Sequence, residues 1–413
     1  MSVKRIINLI IFEELNQPTV GSDFVVLIKE ILAEGFKTVK LDFSYVKRIF
    51  PNAAIPISTI IDYFTNEQNI LFERVDINAR ITERQLFSPL ETGINDDILY
   101  KTPLNKVWKF KDSADVNVVV DELILDLRRS RQFEPGFLDS LTWSLNEVMD
   151  NVLQHSGRGY GFVMGQIHHQ RKHIAFCVGD NGQGIYNSLK DSVHKPSTPI
   201  DALKIAVQES VTRDKKVGQG NGMYGLHQIV KFNKGRLTII SNTALYKLED
   251  NAVTTLLNIP TISYDNGGTI VDFQLHYENK VSIEEALIFN GEPHKNYVNY
   301  YLENLENEEG DLVYILKQWR DGVGTRPSGK KLRLEILNNY IETKRRFVID
   351  FKDLSVISSS FADELLGKLV IEFGFFGFNN LVKLKNMNSL IQQIVQRSVA
   401  QRMSESLNSP KIE

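Results

Sequence analysis

The chain has 413 residues, of which 42% are hydrophobic, 24% charged and 10% aromatic, with a formal net charge of -3. That length exceeds one ordinary core and implies two or three folded domains, and the composition excludes long disorder. So small a net charge gives no general reason to expect nucleic acid or an anionic membrane as a partner, and the single cysteine, Cys177, excludes an intrachain disulfide framework and a cysteine metal cluster.

The apolar run from Ile6 contains Asn8 and stops at Glu13, far short of the roughly 20 residues of a membrane span, and no other segment does better. A protein of the reducing cytoplasm is therefore expected. Strand-like and helix-like pieces alternate first: a strand over 5–12, an amphipathic stretch over 23–33, a strand over 38–43 and a helical run over 54–64. These form a small α/β domain over residues 1–105.

A second domain, 106–280, opens with a helix over 114–129, then a longer one that Pro135 can begin and Gly157 can end. Strands over 161–168 and 173–178 follow, then a helix near 201–211, a glycine-rich loop, and strands over 237–241 and 269–276. The implied fold class is α/β in the α+β sense, with helices on one face of a mixed, mostly antiparallel sheet. Residues 281–310 read as a linker, its acidic part 303–311 lacking an apolar period. Residues 311–413 form another α/β unit: helix 331–340, strand 347–351, helix 361–372, strand 381–384, helix 388–400. LDFSYVKRIF (41–50) and IDFKDLSVIS (349–358) each lead into a helix, the mark of a distant internal repeat.

On the long helix of the second domain, Leu141, Leu145, Val148 and Val152 form an apolar stripe. Glu147, Asn151 and His155 form a polar stripe on a neighbouring face. Glu147 can orient and deprotonate a water, and the neutral amide of Asn151 can ligate Mg2+ without cancelling its attraction for phosphate. A solvated helix face is the alternative. Asp180, at a strand end before Gly182 and Gly184, can accept a hydrogen bond from an adenine amino group; the alternative is a capped turn. Gly218, Gly220, Gly222 and Gly225 lead into an apolar helix, and their backbone N–H groups suit an anion. The same glycines spell GxGxxG, but a dinucleotide site needs a strand just before it, and residues 212–216 are TRDKK. No GxxxxGK[ST] occurs. Arg213, Lys215 and Lys216 are either solvated charges or groups that reach a phosphate, and Thr269 either starts a strand or bonds near the base.

Taken in order, NEVMDN (146–151), DNGQGI (180–185), GQGNGMYGL (218–226) and GGT (267–269) resemble the boxes of the GHKL (histidine-kinase-like, Bergerat-fold) ATPase superfamily. Gyrase B subunits, mismatch-repair ATPases, sensor histidine kinases and anti-sigma-factor serine kinases belong to it. The resemblance implies an ATP site with Mg2+: Glu147 as general base, Asn151 as Mg2+ ligand, Asp180 as the adenine-reading carboxylate. Gly182, Gly184, Gly218, Gly220, Gly222 and Gly225 match its loop glycines, Thr269 its threonine near the base, and residues 186–217 its lid. No histidine precedes His155, which disfavours a sensor histidine kinase.

The stretch from GTRPSGKKLR (324–333) through VIDFKDLSVISSSFADELLG (348–367) resembles STAS-like domains of the DUF4325 type, related to anti-sigma-factor antagonists. In those antagonists a GHKL kinase phosphorylates a serine at the start of the helix, which makes Ser359 a candidate phosphoacceptor; capping of that helix by Ser358 to Ser360 is the alternative. The N-terminal domain resembles the same fold more faintly. The combination implies an ATP-driven regulatory switch in bacterial signalling or defence, a protein serine kinase acting on a STAS domain, or a non-hydrolysing ATP-binding module. A regulatory or STAS-like protein partner is expected, with neither nucleic acid nor membrane, and a homo-oligomer stays open.

Overall fold

In the computed structural model, which describes residues 3–211, 220–260, 267–293 and 299–408, the chain opens on a hairpin. Residues 5–12, expected as one strand, divide into β1 (Val3–Ile6) and β2 (Leu9–Phe12) because Ile7 takes a left-handed φ of 57° and reverses the chain. Helix α1 (Val20–Ala33) leads to β3 (Thr38–Asp42), and α2 (Pro51–Gln68), with proline in its first turn, leads to β4 (Leu71–Arg74). The sheet order is β1-β2-β3-β4, parallel from β2 onward. Its core includes Phe12 stacked on Phe43 with centroids 4.4 Å apart.

Short elements follow: α3 (Ala79–Arg84), β5 (Leu90–Glu91), α4 (Asp96–Leu99) and β6 (Trp108–Phe110). Then come α5 (Ser113–Ser130), α6 (Phe137–His155), β7 (Gly161–His168), β8 (His173–Asp180), α7 (Gly184–Leu189), α8 (Pro199–Ala206) and α9 (Gly222–Asn233). Four strands complete the second sheet: β9 (Arg236–Ser241), β10 (Ala244–Glu249), β11 (Ala252–Leu257) and β12 (Thr269–His276). Its order is β11-β10-β9-β12-β8-β7-β6-β5, antiparallel except between β5 and β6, so the expected class of fold holds.

Two local expectations change. Helix α8 stops at Ala206 rather than 211, and Ser210 turns left-handed at φ 62°. The β10–β11 hairpin was not expected, because Asp250 and Asn251 turn it with positive φ and no glycine announces it.

Side chains alternate across the second sheet. Val178, Asp180, Thr269 and Val271 share one face with the polar edge of α6. On the other face Cys177 and Phe162 join the core beneath α2, where Ile55 and Thr59 lie against Gly179.

Past β12 come α10 (Ile283–Ala286), the hairpin β13 (Ile288–Phe289) and β14 (Glu292–Pro293), and α11 (Tyr300–Leu305). Residues 281–310 thus hold structure that their acidic composition hides, with Ile283, Leu287 and Leu302 buried. Next are β15 (Leu312–Ile315), α12 (Arg326–Thr343), β16 (Phe347–Asp350) and α13 (Ser359–Ala362), which runs through π-helical Asp363–Gly367 into α14 (Lys368–Leu381). Strand β17 (Val382–Lys385) and helix α15 (Ser389–Asn408) close the chain. The three strands are parallel in the order β15-β16-β17.

Contacts gather the chain into two compact units, residues 1–124 with 139–295, and residues 125–138 with 296–413. In the second, Asn338 of α12 donates to the carbonyls of Arg128 and Arg131 at 2.7 Å and accepts from the Phe133 N–H at 2.9 Å. The suspected repeat has matching anatomy: Phe43 and Phe351 are fully buried, and Asp42 and Asp350 each accept, at 2.8 Å, the N–H two residues on. No helix among the described residues is long and apolar enough to cross a membrane.

Candidate functional site

Leu141, Leu145, Val148 and Val152 bury one face of α6, which leaves Glu147 and Asn151 on the edge of a cavity of about 390 Å³. That cavity is also lined by Asp180, Gly184, Gly220, Gly222 and Thr269. Three distant stretches therefore meet in one place: the α6 edge, the end of β8 and the start of α9. Gly182 and Gly225 do not line the cavity: Gly182 packs against the Ser156 carbonyl and Gly225 against the ring of Trp143, which does. Gly218, Arg213, Lys215 and Lys216 lie outside the described residues. Ser359 is elsewhere, exposed at the start of α13 in the second unit, where Ser358 caps the helix by accepting from the Phe361 N–H at 3.0 Å.

Two carboxylates set the electrostatics. Asp180 pairs across the sheet with Thr269, is 4% exposed, and accepts from the Gly182 N–H at 2.8 Å. Burial pushes it up to about 7 despite that hydrogen bond and the charge of Arg158. Glu147 is also pushed up to about 7, first by burial and then by the charge of Asp150. Among the described residues neither carboxylate forms an ion pair.

The turn after Asp180 is held on α6. Gln183 donates its N–H to the Ser156 carbonyl at 2.9 Å and its side-chain amide to the His155 carbonyl at 2.7 Å. A Cβ on Gly182 would collide with that Ser156 carbonyl, so the approach requires glycine. At Gly222 a Cβ would strike the Glu147 carboxylate, so the start of α9 lies directly beside that group. Two residues that sequence reasoning missed brace the turn from β9: Ser241 accepts from the Ile185 N–H at 2.8 Å, and Asn242 accepts from the Tyr186 N–H at 3.0 Å. The available signal was a polar pair closing an apolar strand.

The donor set suits a nucleotide. The volume falls within the range of roughly 300 to 1,000 Å³ usual for small-ligand pockets. Asp180 is an acceptor for an exocyclic amine, and the first turn of α9 offers backbone N–H groups to an anion. Among the described residues no three His, Cys, Asp or Glu side chains cluster as metal ligands. A cation held near Asn151 would therefore complete its shell with phosphate oxygens and water, as Mg2+ ordinarily does.

In the second unit, the three parallel strands and their helices make a small α/β module. Residues 328–392 of it match the family model of the STAS-like domain of unknown function (DUF4325), so a STAS-like domain occupies that part of the chain, as its residues led us to expect. No curated protein matches the chain.

Proposed function

We propose that the cavity binds ATP with Mg2+ and that the protein hydrolyses it as a nucleotide-driven regulatory switch. The supporting observation is that half-buried Glu147 and buried Asp180, neither of which forms an ion pair among the described residues, line one cavity together with a helix start. Asp180 accepts from the adenine amino group, with Thr269 beside it, and the N–H groups at the start of α9 bind phosphate oxygens. Glu147, poised near neutrality, takes the proton of the water that attacks the terminal phosphate, and ADP and phosphate leave. Asn151 holds Mg2+, which supplies positive charge to the phosphate oxygens when bound. The order of the GHKL-like boxes supports the same reading, as does the company of a STAS-like domain for a regulatory role with a protein partner. A cytoplasmic place fits the single cysteine.

Calorimetry with Mg2+ and ATP, then phosphate release, tests this; no uptake of adenine nucleotide removes it. A second reading, a protein serine kinase, draws on the exposed Ser359 within the STAS-like match. Terminally labelled ATP separates the two, since label freed as phosphate supports hydrolysis and label kept on protein, lost in Ser359→Ala, supports transfer. Binding without either outcome leaves an ATP-binding interaction module.

A further inference from the structure

We propose that helix α2 is a coupled back wall of the nucleotide cavity, and that Asp62 is the positioning residue linking its seating to nucleotide binding; the inference rests on the ATP assignment. The turn after β8 has two sides. Asp180 points into the cavity, while Asn181, 1% exposed, points away and donates its side-chain amide to Asp62 at 2.8 Å. The same Asp62 oxygen accepts from the Tyr160 hydroxyl at 2.7 Å. Farther along α2, Glu67 pairs with Arg158 at 2.5 Å. Tyr160 and Arg158 belong to the connection leaving α6, the helix of Glu147 and Asn151. One polar edge of α2 thus holds both the adenine-reading turn and the end of the catalytic helix.

The backbone is gripped as well. Ile55 lies 2.6 Å from where a Gly179 Cβ would stand, so α2 rests directly on the strand one residue before Asp180. The wall is thin. Asp180 and Thr269, which line the large cavity, also line a second one of about 50 Å³ whose other side is Pro56, Thr59 and Ile60 of α2. Displacement of α2 moves this wall, so nucleotide affinity and helix seating must favour one another reciprocally. Asp62 touches no substrate and acts through Asn181.

The chain carries its own reporter. Cys177, its only cysteine, is fully buried in the core that α2 covers, two residues before Gly179. The test uses the full chain with a thiol reagent and with Mg2+ and ATP in calorimetry. In the wild type, saturating nucleotide is expected to slow Cys177 modification at least about fivefold, the low end of ordinary coupling. Asp62→Ala is expected to weaken binding about five- to fiftyfold and to abolish nucleotide protection of the thiol. Asp62→Asn, which keeps an acceptor oxygen, restores most of both. Tyr160→Phe removes one of the two hydrogen bonds to that Asp62 oxygen while leaving the sequence of α2 unchanged, and gives a smaller loss of the same kind, which keeps the test decisive if Asp62→Ala fails to fold. A merely structural Asp62 would lower the melting temperature without altering the nucleotide dependence of the thiol rate. Uptake by the wild type with unchanged thiol protection, or Asp62→Ala binding with wild-type affinity, overturns the coupling alone. Absence of uptake by the wild type overturns the ATP assignment and the coupling with it.

Discussion

Buried carboxylates occur in both units, but their company differs. In the first, half-buried Glu147 and buried Asp180 line a cavity, neither forms an ion pair among the described residues, and both are pushed up to about 7. In the second, Glu335, Glu364 and Asp311, with side chains 2–3% exposed, each meet basic groups. Arg129 reaches Glu335 at 2.6 Å; Lys368 and Arg333 reach Glu364 at 2.7 and 3.0 Å; Lys383 and Arg346 reach Asp311 at 2.6 and 3.1 Å. Burial alone would raise Glu364, but Lys368 and Arg333 outweigh it and hold it below its ordinary value, and the Lys383 hydrogen bond does the same for Asp311. Basic groups thus meet the buried carboxylates of the second unit, whereas the two that line the cavity of the first have no ion pair among the described residues, the pattern expected if a ligand completes them. Asp272 limits the rule: it too is buried and pushed up to about 7, yet it lies outside the cavity, with a hydrogen bond from Gln274 at 3.2 Å. An unpaired carboxylate indicates a site only where a cavity adjoins it.

The largest effect separating the two sets is expected at Glu147. Glu147→Gln should lower phosphate release about 10²- to 10⁴-fold, the usual worth of a general base, while nucleotide affinity stays within about threefold. In the wild type kcat should rise with one-proton dependence through about pH 7, because only the deprotonated form accepts a proton. Phosphate release followed from pH 5.5 to 8.5 checks both, and a flat profile would remove Glu147 from the role. Next is Glu364→Ala, which takes from buried Arg333 its nearest carboxylate, leaving it the residue-364 carbonyl and Glu372 at 4.0 Å, and should cost about 3 kcal/mol. Hydrogen exchange over 328–392 should report that loss while nucleotide affinity is unchanged.

Asp180→Asn is expected to do the opposite, stabilising the protein while removing adenine binding. Asp180 titrates ordinarily at 3.8 but at about 7 when folded, so its burial costs nothing below about pH 4 and its penalty grows as pH rises to 7. The variant should gain about 2 kcal/mol at pH 8, roughly half of what the full shift implies, and nothing resolvable at pH 4. For Glu364 and Asp311 the sign reverses: their lowered values add stability above pH 4 to 5 that is lost as pH falls. Hydrogen exchange in the two units against pH should therefore run in opposite directions. Parallel profiles would erase the distinction.

What the sequence revealed follows the range of the interactions. The α6 stripe was legible because its period is local, and so was the strand that ends at Asp180. The β1–β2 hairpin was not, since Ile7 does a turn usually given to glycine; nor was β10–β11, turned by Asp250 and Asn251. Ser241 and Asn242 read as an ordinary strand end, and only the assembled sheet brings them under the Gly184 turn. The Asp62–Asn181 contact, between residues 119 apart, leaves no local pattern at all. The order of the motifs anticipated which stretches meet around the cavity, whereas the pairing that separates Glu147 from Glu364 exists only in three dimensions.

The smallest expected effect concerns the serines that open α13, where a neutral contact stands beside the paired charges. Ser358 donates nothing essential to the core; its oxygen satisfies one helix-end N–H, so Ser358→Ala should cost about 1 kcal/mol by denaturant unfolding. The matching helix in the first unit, α2, starts at Pro51 with no side-chain cap, because proline removes one of the orphan donors outright. Ser359 is exposed and does not cap, so Ser359→Ala should change stability by less than about 0.5 kcal/mol. A loss of protein-bound label in Ser359→Ala with stability intact would then point to phosphotransfer, whereas the same loss in Ser358→Ala alone would reflect a frayed helix start.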